Sequence, residues 1–188
     1  MTRRLILVLM AVGLLPLTAL AALADEPIEA FYGVYVGSAE VFDGDGNVVE
    51  ERDLEIEIGA GERGAIHIRW SNVTLVDGRR DVPGVEWRLQ HLSMIPRRGD
   101  GLFIEDTRGS LFSGRRDIEV MGGDALRWGR IQDNSLDVFA MGVLDDGGYV
   151  LQSYSRRLTE IGLEIEFRAY RNGSIVRSIL GQTVRVGD

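Results

Sequence analysis

The run LEIEFRAYRNGSIVRSILGQTVRV, residues 163–186, decides the fold. Leu163, Ile165, Phe167 and Ala169 alternate with Glu164, Glu166, Arg168 and Tyr170. That period of two is the mark of a strand with one dry and one wet face. Asn172-Gly173 then offers the two positive-φ residues of a tight type I′ turn, so Ile175 to Val186 is expected to return as the antiparallel partner. On the other side, Tyr149 to Arg157 is a third strand, joined through Thr159 to Gly162.

The same grammar extends back to Phe31. Tyr32 to Phe42, Val48 to Ile58, Ala65 to Trp70, Val85 to Ile95, Leu102 to Glu105, Leu126 to Ile131 and Leu136 to Leu144 are strand-like runs between Gly-, Asp- and Asn-rich turns. Thr107 to Asp124 is the longest irregular connection, and Asp25 to Phe31 is expected to make one helical turn capped by Asp25. The fold class is therefore all-β, an antiparallel up-and-down meander of about 8–10 strands. A closed up-and-down barrel and a β-sandwich both satisfy this periodicity.

Residues 1–24 read as an export signal. Arg3 and Arg4 precede an apolar run from Leu5 to Leu20, and Ala22-Leu23-Ala24 supplies a small-x-small cleavage site. Cleavage is expected after Ala24, leaving residues 25–188 as a single periplasmic or secreted domain without a stable membrane anchor. The alternative is an uncleaved N-terminal anchor, since about 20 apolar residues suffice to span a bilayer. With no cysteine, an exported domain must rest on packing and sheet ladders.

Composition narrows the function classes. The net charge is −8, and removing Arg3 and Arg4 makes the mature chain more acidic still. Nucleic acid and anionic membrane surfaces demand a positive stripe, so neither is an expected partner. All 21 basic residues are arginine. A Schiff-base lysine, a P-loop lysine and a catalytic thiol are all excluded.

Phe31-Tyr32-Gly33-Val34-Tyr35 is similar to the F-x-G-x-W opening of the calycins, the lipocalins and fatty-acid-binding proteins, with Tyr35 in place of the tryptophan. Leu144-Asp145-Asp146-Gly147-Gly148-Tyr149 resembles the acidic turn of the second lipocalin motif, and Ser155-Arg156-Arg157-Leu158-Thr159 the third. The three occur in family order, although the last two almost touch where the family has an intervening hairpin. The resemblance implies a closed up-and-down barrel with a pocket open at one end.

The residues capable of chemistry are few. Ile66, Ile68 and Trp70 share one face of their strand, which puts His67 on the other; His91 shares parity with Trp87 and Leu89 and is expected to point inward. On that reading the two histidines lie on opposite faces and serve no common metal or triad. Asp43, Asp45 and Asn47 fit positions 1, 3 and 5 of a calcium loop, but Val48 and Leu54 occupy the positions of its glycine and bidentate glutamate. Glu55/Glu57 and Glu164/Glu166 are paired carboxylates that alternate with apolar faces, as a solvated outer surface would. Asn72-Val73-Thr74 and Asn172-Gly173-Ser174 are formal glycosylation sequons. No catalytic residue, metal ligand or cofactor is expected.

Val150, Gln152, Tyr154 and Arg156 form the remaining constellation. Turned inward, they place an amide, a phenol and a guanidinium beside apolar walls, a combination suited to a carboxylate-headed amphiphile. Turned outward, they leave Tyr149, Leu151 and Ser153 facing in, and parity alone leaves both open. The expected ligand-binding set is Trp87, His91, Gln152, Tyr154 and Arg156. Two functional classes follow: a non-enzymatic barrel holding a small apolar or anionic amphipathic molecule, and an envelope domain with a filled core that binds a protein or glycan on its surface.

Overall fold

The computed structural model describes residues 27–97, 101–108 and 117–187. The expected signal segment lies outside them. Ten strands follow one another: β1 (Gly33–Asp43), β2 (Val48–Ala60), β3 (Ile66–Thr74), β4 (Glu86–Pro96), β5 (Leu102–Glu105), β6 (Leu126–Gln132), β7 (Ser135–Val143), β8 (Tyr149–Leu158), β9 (Leu163–Arg171) and β10 (Ser174–Gly187). Each pairs antiparallel with its neighbours in sequence, and β1 pairs with β10, so the meander closes as a barrel rather than splitting into a sandwich. Helical structure among the described residues is limited to three short 3₁₀ turns, the first at Ile28–Phe31, where a helical turn is expected. No described helix is long and apolar enough to cross a membrane.

The deciding stretch behaves as its period demands. Leu163 is buried and Glu164 exposed, and Asn172 (φ 50°) and Gly173 (φ 86°) make the hairpin turn into β10. Closure depends on glycine at the seam. Gly37 on β1 faces Thr183 across the seam, and a Cβ at Gly37 would lie 2.0 Å from the Gln182 carbonyl oxygen. Only a residue without a side chain lets β1 and β10 approach this closely.

One end of the barrel is packed solid. Phe31, Tyr35, Ile58, Ile66, Ile68, Met94, Leu136 and Leu163 form a dry floor beneath the 3₁₀ turn. Its polar atoms are matched: the Tyr35 hydroxyl donates to the Phe31 carbonyl at 2.8 Å, and Arg185 Nη2 donates to that hydroxyl and to the Ala30 carbonyl, each at 2.6 Å. Thr183 Oγ1 accepts from Leu163 N–H and donates to Leu163 C=O. The paired carboxylates face outward as expected, with Glu57 bound to Arg69, Glu164 to Arg157 and Glu166 to Arg168. Asp43 accepts hydrogen bonds from the N–H groups of Asp45 and Asn47, which assigns it to capping the β1–β2 turn.

Candidate ligand site

Above the floor the interior changes character, and β8 is the strand that changes it. Arg156 pairs with Ile165 and Leu136, Tyr154 with Phe167 and Val138, and Gln152 with Ala169 and Ala140. Cross-strand partners share a face. Because Ile165, Phe167, Leu136 and Val138 face the interior, Gln152, Tyr154 and Arg156 do too. They line an interior cavity of about 420 Å³ with Leu54, Ile56, Trp70, Asn72, Arg88 and Gln90 on β2–β4 and Ile165, Phe167 and Ile179 on β9 and β10. A second lobe of about 360 Å³ shares Trp70, Gln90, Gln152, Tyr154 and Arg156 with the first and reaches Glu105, Arg127 and His91. That volume falls within the range of small-molecule sites, roughly 300–1,000 Å³.

Arg156 is the anomaly in this cavity. It is only 4 % exposed, and its Nε and Nη1 are buried without a hydrogen-bond partner. The guanidinium lies 5.4 Å from the Trp70 ring centre and 5.7 Å from that of Tyr154, within reach of both π-faces. Burial pushes its pKa down to about 10, so it keeps its charge at neutral pH. Each of the other arginines lining the two lobes has a carboxylate. Glu50 bridges Arg52 and Arg177, Glu105 binds Arg127, and Glu86 binds Arg88 near the mouth. Asp137, whose charge acts on Arg156, is on the outer face, where it accepts from Ser135 and pairs with Arg130. Tyr154 donates to Gln152 Oε1 at 3.1 Å, and burial raises its pKa, which keeps the phenol neutral. An unpaired buried cation facing an open volume is costly unless something anionic completes it.

Trp87 lines neither lobe, and His91 borders only the second. Trp87 stands 64 % exposed and His91 is also exposed, so the expectation that both point inward is overturned. The phase of β4 is set at its floor end, where Leu92 and Met94 are buried opposite Ile68 and Ile66. Counting back by twos makes Gln90 and Arg88 the inward residues, leaving Trp87, Leu89 and His91 outside. Trp87 lies under the Arg80 guanidinium, at 5.3 Å, on the outer flank next to buried Val73.

The two histidines therefore share the outer face: His67 Nδ1 and His91 Nε2 are 3.2 Å apart. Burial, then His67 and Arg69, depress the pKa of His91. Among the described residues no group of three or more His, Cys, Asp or Glu is placed to hold a metal ion.

Sequence reasoning missed Trp70, Asn72, Arg88, Gln90 and Phe167 as cavity residues. The parity of Trp70 with buried Ile66 and Ile68 was the available signal. A further concavity, about 720 Å³, is an outer groove over β1 and β8–β10 flanked by Glu40, Glu51, Glu164 and Glu166. Those carboxylates belong to the solvated outer face and leave Arg156 on the far side of the wall.

No family model and no curated protein matches the chain. Among solved structures it is similar to a protein of unknown function from the DUF3598 family of Nostoc punctiforme, with a TM-score of 0.54 and 12 % sequence identity. The match covers 86 % of this chain and half of the other, so it supports the barrel architecture alone.

Proposed function

We propose that this chain is an exported, non-enzymatic barrel that holds a small amphipathic molecule, with an anionic head on Arg156 and an apolar body against Trp70, Ile56, Ile165 and Phe167. The observation that carries this reading is the unpartnered, buried guanidinium at the base of an interior cavity. An anion there would supply the missing acceptors and recover the cost of burying the charge. The calycin resemblance agrees with a barrel that takes its ligand inside. Export rests on the N-terminal signal.

Titrating an amphipathic carboxylic acid and its matching alcohol, followed by tryptophan fluorescence, tests the head-group role. Arg156→Ala should weaken the acid by roughly 1.5–3 kcal/mol, the worth of a hydrogen bond to a charged group. Binding of the alcohol should change less. Equal losses for both remove Arg156 from that role. Sequencing the N-terminus of the exported protein should begin at Asp25; a chain starting near Met1 and held in membranes rejects cleavage.

A second reading, surface recognition of a protein or glycan, draws on β4. Among the described residues Glu86 to His91 has a strand partner only on the β3 side, and Trp87 and Leu89 stand 64 % and 70 % exposed. A Trp87→Ser/Leu89→Ser variant that loses a partner while keeping small-molecule binding would favour it.

A further inference from the structure

We infer that the cavity selects a compact aromatic acid over a straight-chain fatty acid. This rests on the anion-binding reading of Arg156 and concerns what lies above the head. Immediately around the guanidinium the lining is aromatic: Trp70 and Tyr154 have ring centres 5.8 Å apart, and Tyr154 and Phe167 4.7 Å apart. One inward step toward the mouth, about 7 Å along a strand, the lining of three strands turns polar. Trp70 is followed by Asn72 on β3, Tyr154 by Gln152 on β8, and Leu92 by Gln90 and then Arg88 on β4. The opposite wall stays apolar through Leu54, Phe167, Ala169 and Ile179 before Arg52 and Arg177 follow on β2 and β10.

An alkyl chain rising from Arg156 would find hydrocarbon on one side. On the other it would strip water from two amide side chains, Asn72 and Gln90, and from Arg88, and would return no hydrogen bonds. A ring system of one or two fused rings fits within the aromatic layer. It can lie edge-to-face or offset against Trp70, Tyr154 and Phe167, and any polar substituent on its far edge would meet Asn72, Gln90 and Gln152. The layering thus favours a short, flat, carboxylated body.

Isothermal titration of the purified protein with 2-naphthoate, decanoate and 2-naphthalenemethanol separates the questions. The expected result is 2-naphthoate binding about tenfold tighter than decanoate, the upper range for aromatic pairing. Trp70→Leu and, separately, Phe167→Leu should each cut 2-naphthoate affinity roughly 2- to 13-fold and spare decanoate, in proteins whose thermal melts show them folded. Decanoate binding as tightly as 2-naphthoate overturns the inference and leaves the anion site standing. Equal affinity for 2-naphthoate and 2-naphthalenemethanol overturns the anion site itself. Binding of none of the three overturns both.

Discussion

The two ends of the barrel interior are built on opposite principles. At the floor the buried polar side chains have their partners: Tyr35 and Thr183 are hydrogen-bonded, the exposed Arg185 reaches in to the Tyr35 hydroxyl, and Ile58, Ile68 and Leu163 pack around them. Toward the mouth the same strands carry Arg156 without an acceptor beside an open volume. A matched, filled region stabilises the fold, whereas an unmatched charge in a void detracts from it. The difference separates the part of the interior that makes a barrel from the part available to a ligand.

Replacing residues at each end should test that contrast by the size of the loss. Ile68→Ala, in the floor, should cost about 2–5 kcal/mol in denaturant unfolding, because its neighbours cannot collapse into the space it leaves. Gln90→Ala, facing the cavity, should cost under about 1 kcal/mol. Similar losses at both positions would deny that only the floor is closely packed.

Arg156→Met should act with the opposite sign and raise the stability of the unliganded protein. The lowered pKa means that the unfolded state holds the proton more tightly than the folded one. The buried charge therefore detracts from stability at every pH below about 10, and relief comes only as pH rises through that value. Removing the charge should recover roughly 3 kcal/mol, an order-of-magnitude figure from the size of the shift. A destabilised Arg156→Met protein would mean that the guanidinium is structurally satisfied.

Tyr35→Phe should cost about 1–3 kcal/mol, since it leaves the Phe31 carbonyl and Arg185 short of a buried partner. A Tyr154→Phe change in the cavity removes one hydrogen bond, to Gln152, and should cost less. The smallest effect belongs to the outer face. His91 has a lowered pKa, so its contribution is present above the ordinary histidine pKa and is lost as pH falls toward the folded value. His91→Gln should flatten the acid limb of the melting-temperature profile, and an unchanged profile would show that the His67–His91 pair is too solvated to matter.

Most of the fold was readable because the information is local. The alternation of 163–170, the Asn172-Gly173 turn and the outward glutamates each depend on residues close in sequence, and the structure keeps all three. β4 was misread because its pattern reverses along its length. At the floor end Leu92 and Met94 mark the inside, but near the mouth the inside is lined by Arg88 and Gln90, while Trp87 and Leu89 cover the outer flank. A strand bordering a polar cavity no longer announces its inner face by hydrophobicity, so parity taken from Trp87 gave the wrong side.

The strands, the turns and the face on which β9 presents its apolar residues follow from local sequence, since period two and positive-φ turn chemistry act over a few residues. Closure of the sheet and the facing of β8 come from contacts between distant strands. Closure is a contact between β1 and β10, near the two ends of the described chain, made where Gly37 passes the Gln182 carbonyl. Direction on β8 is fixed by register with β7 and β9, which set Arg156 against Leu136 and Ile165. Both are long-range pairings, and the lone guanidinium in the cavity exists only once they have formed.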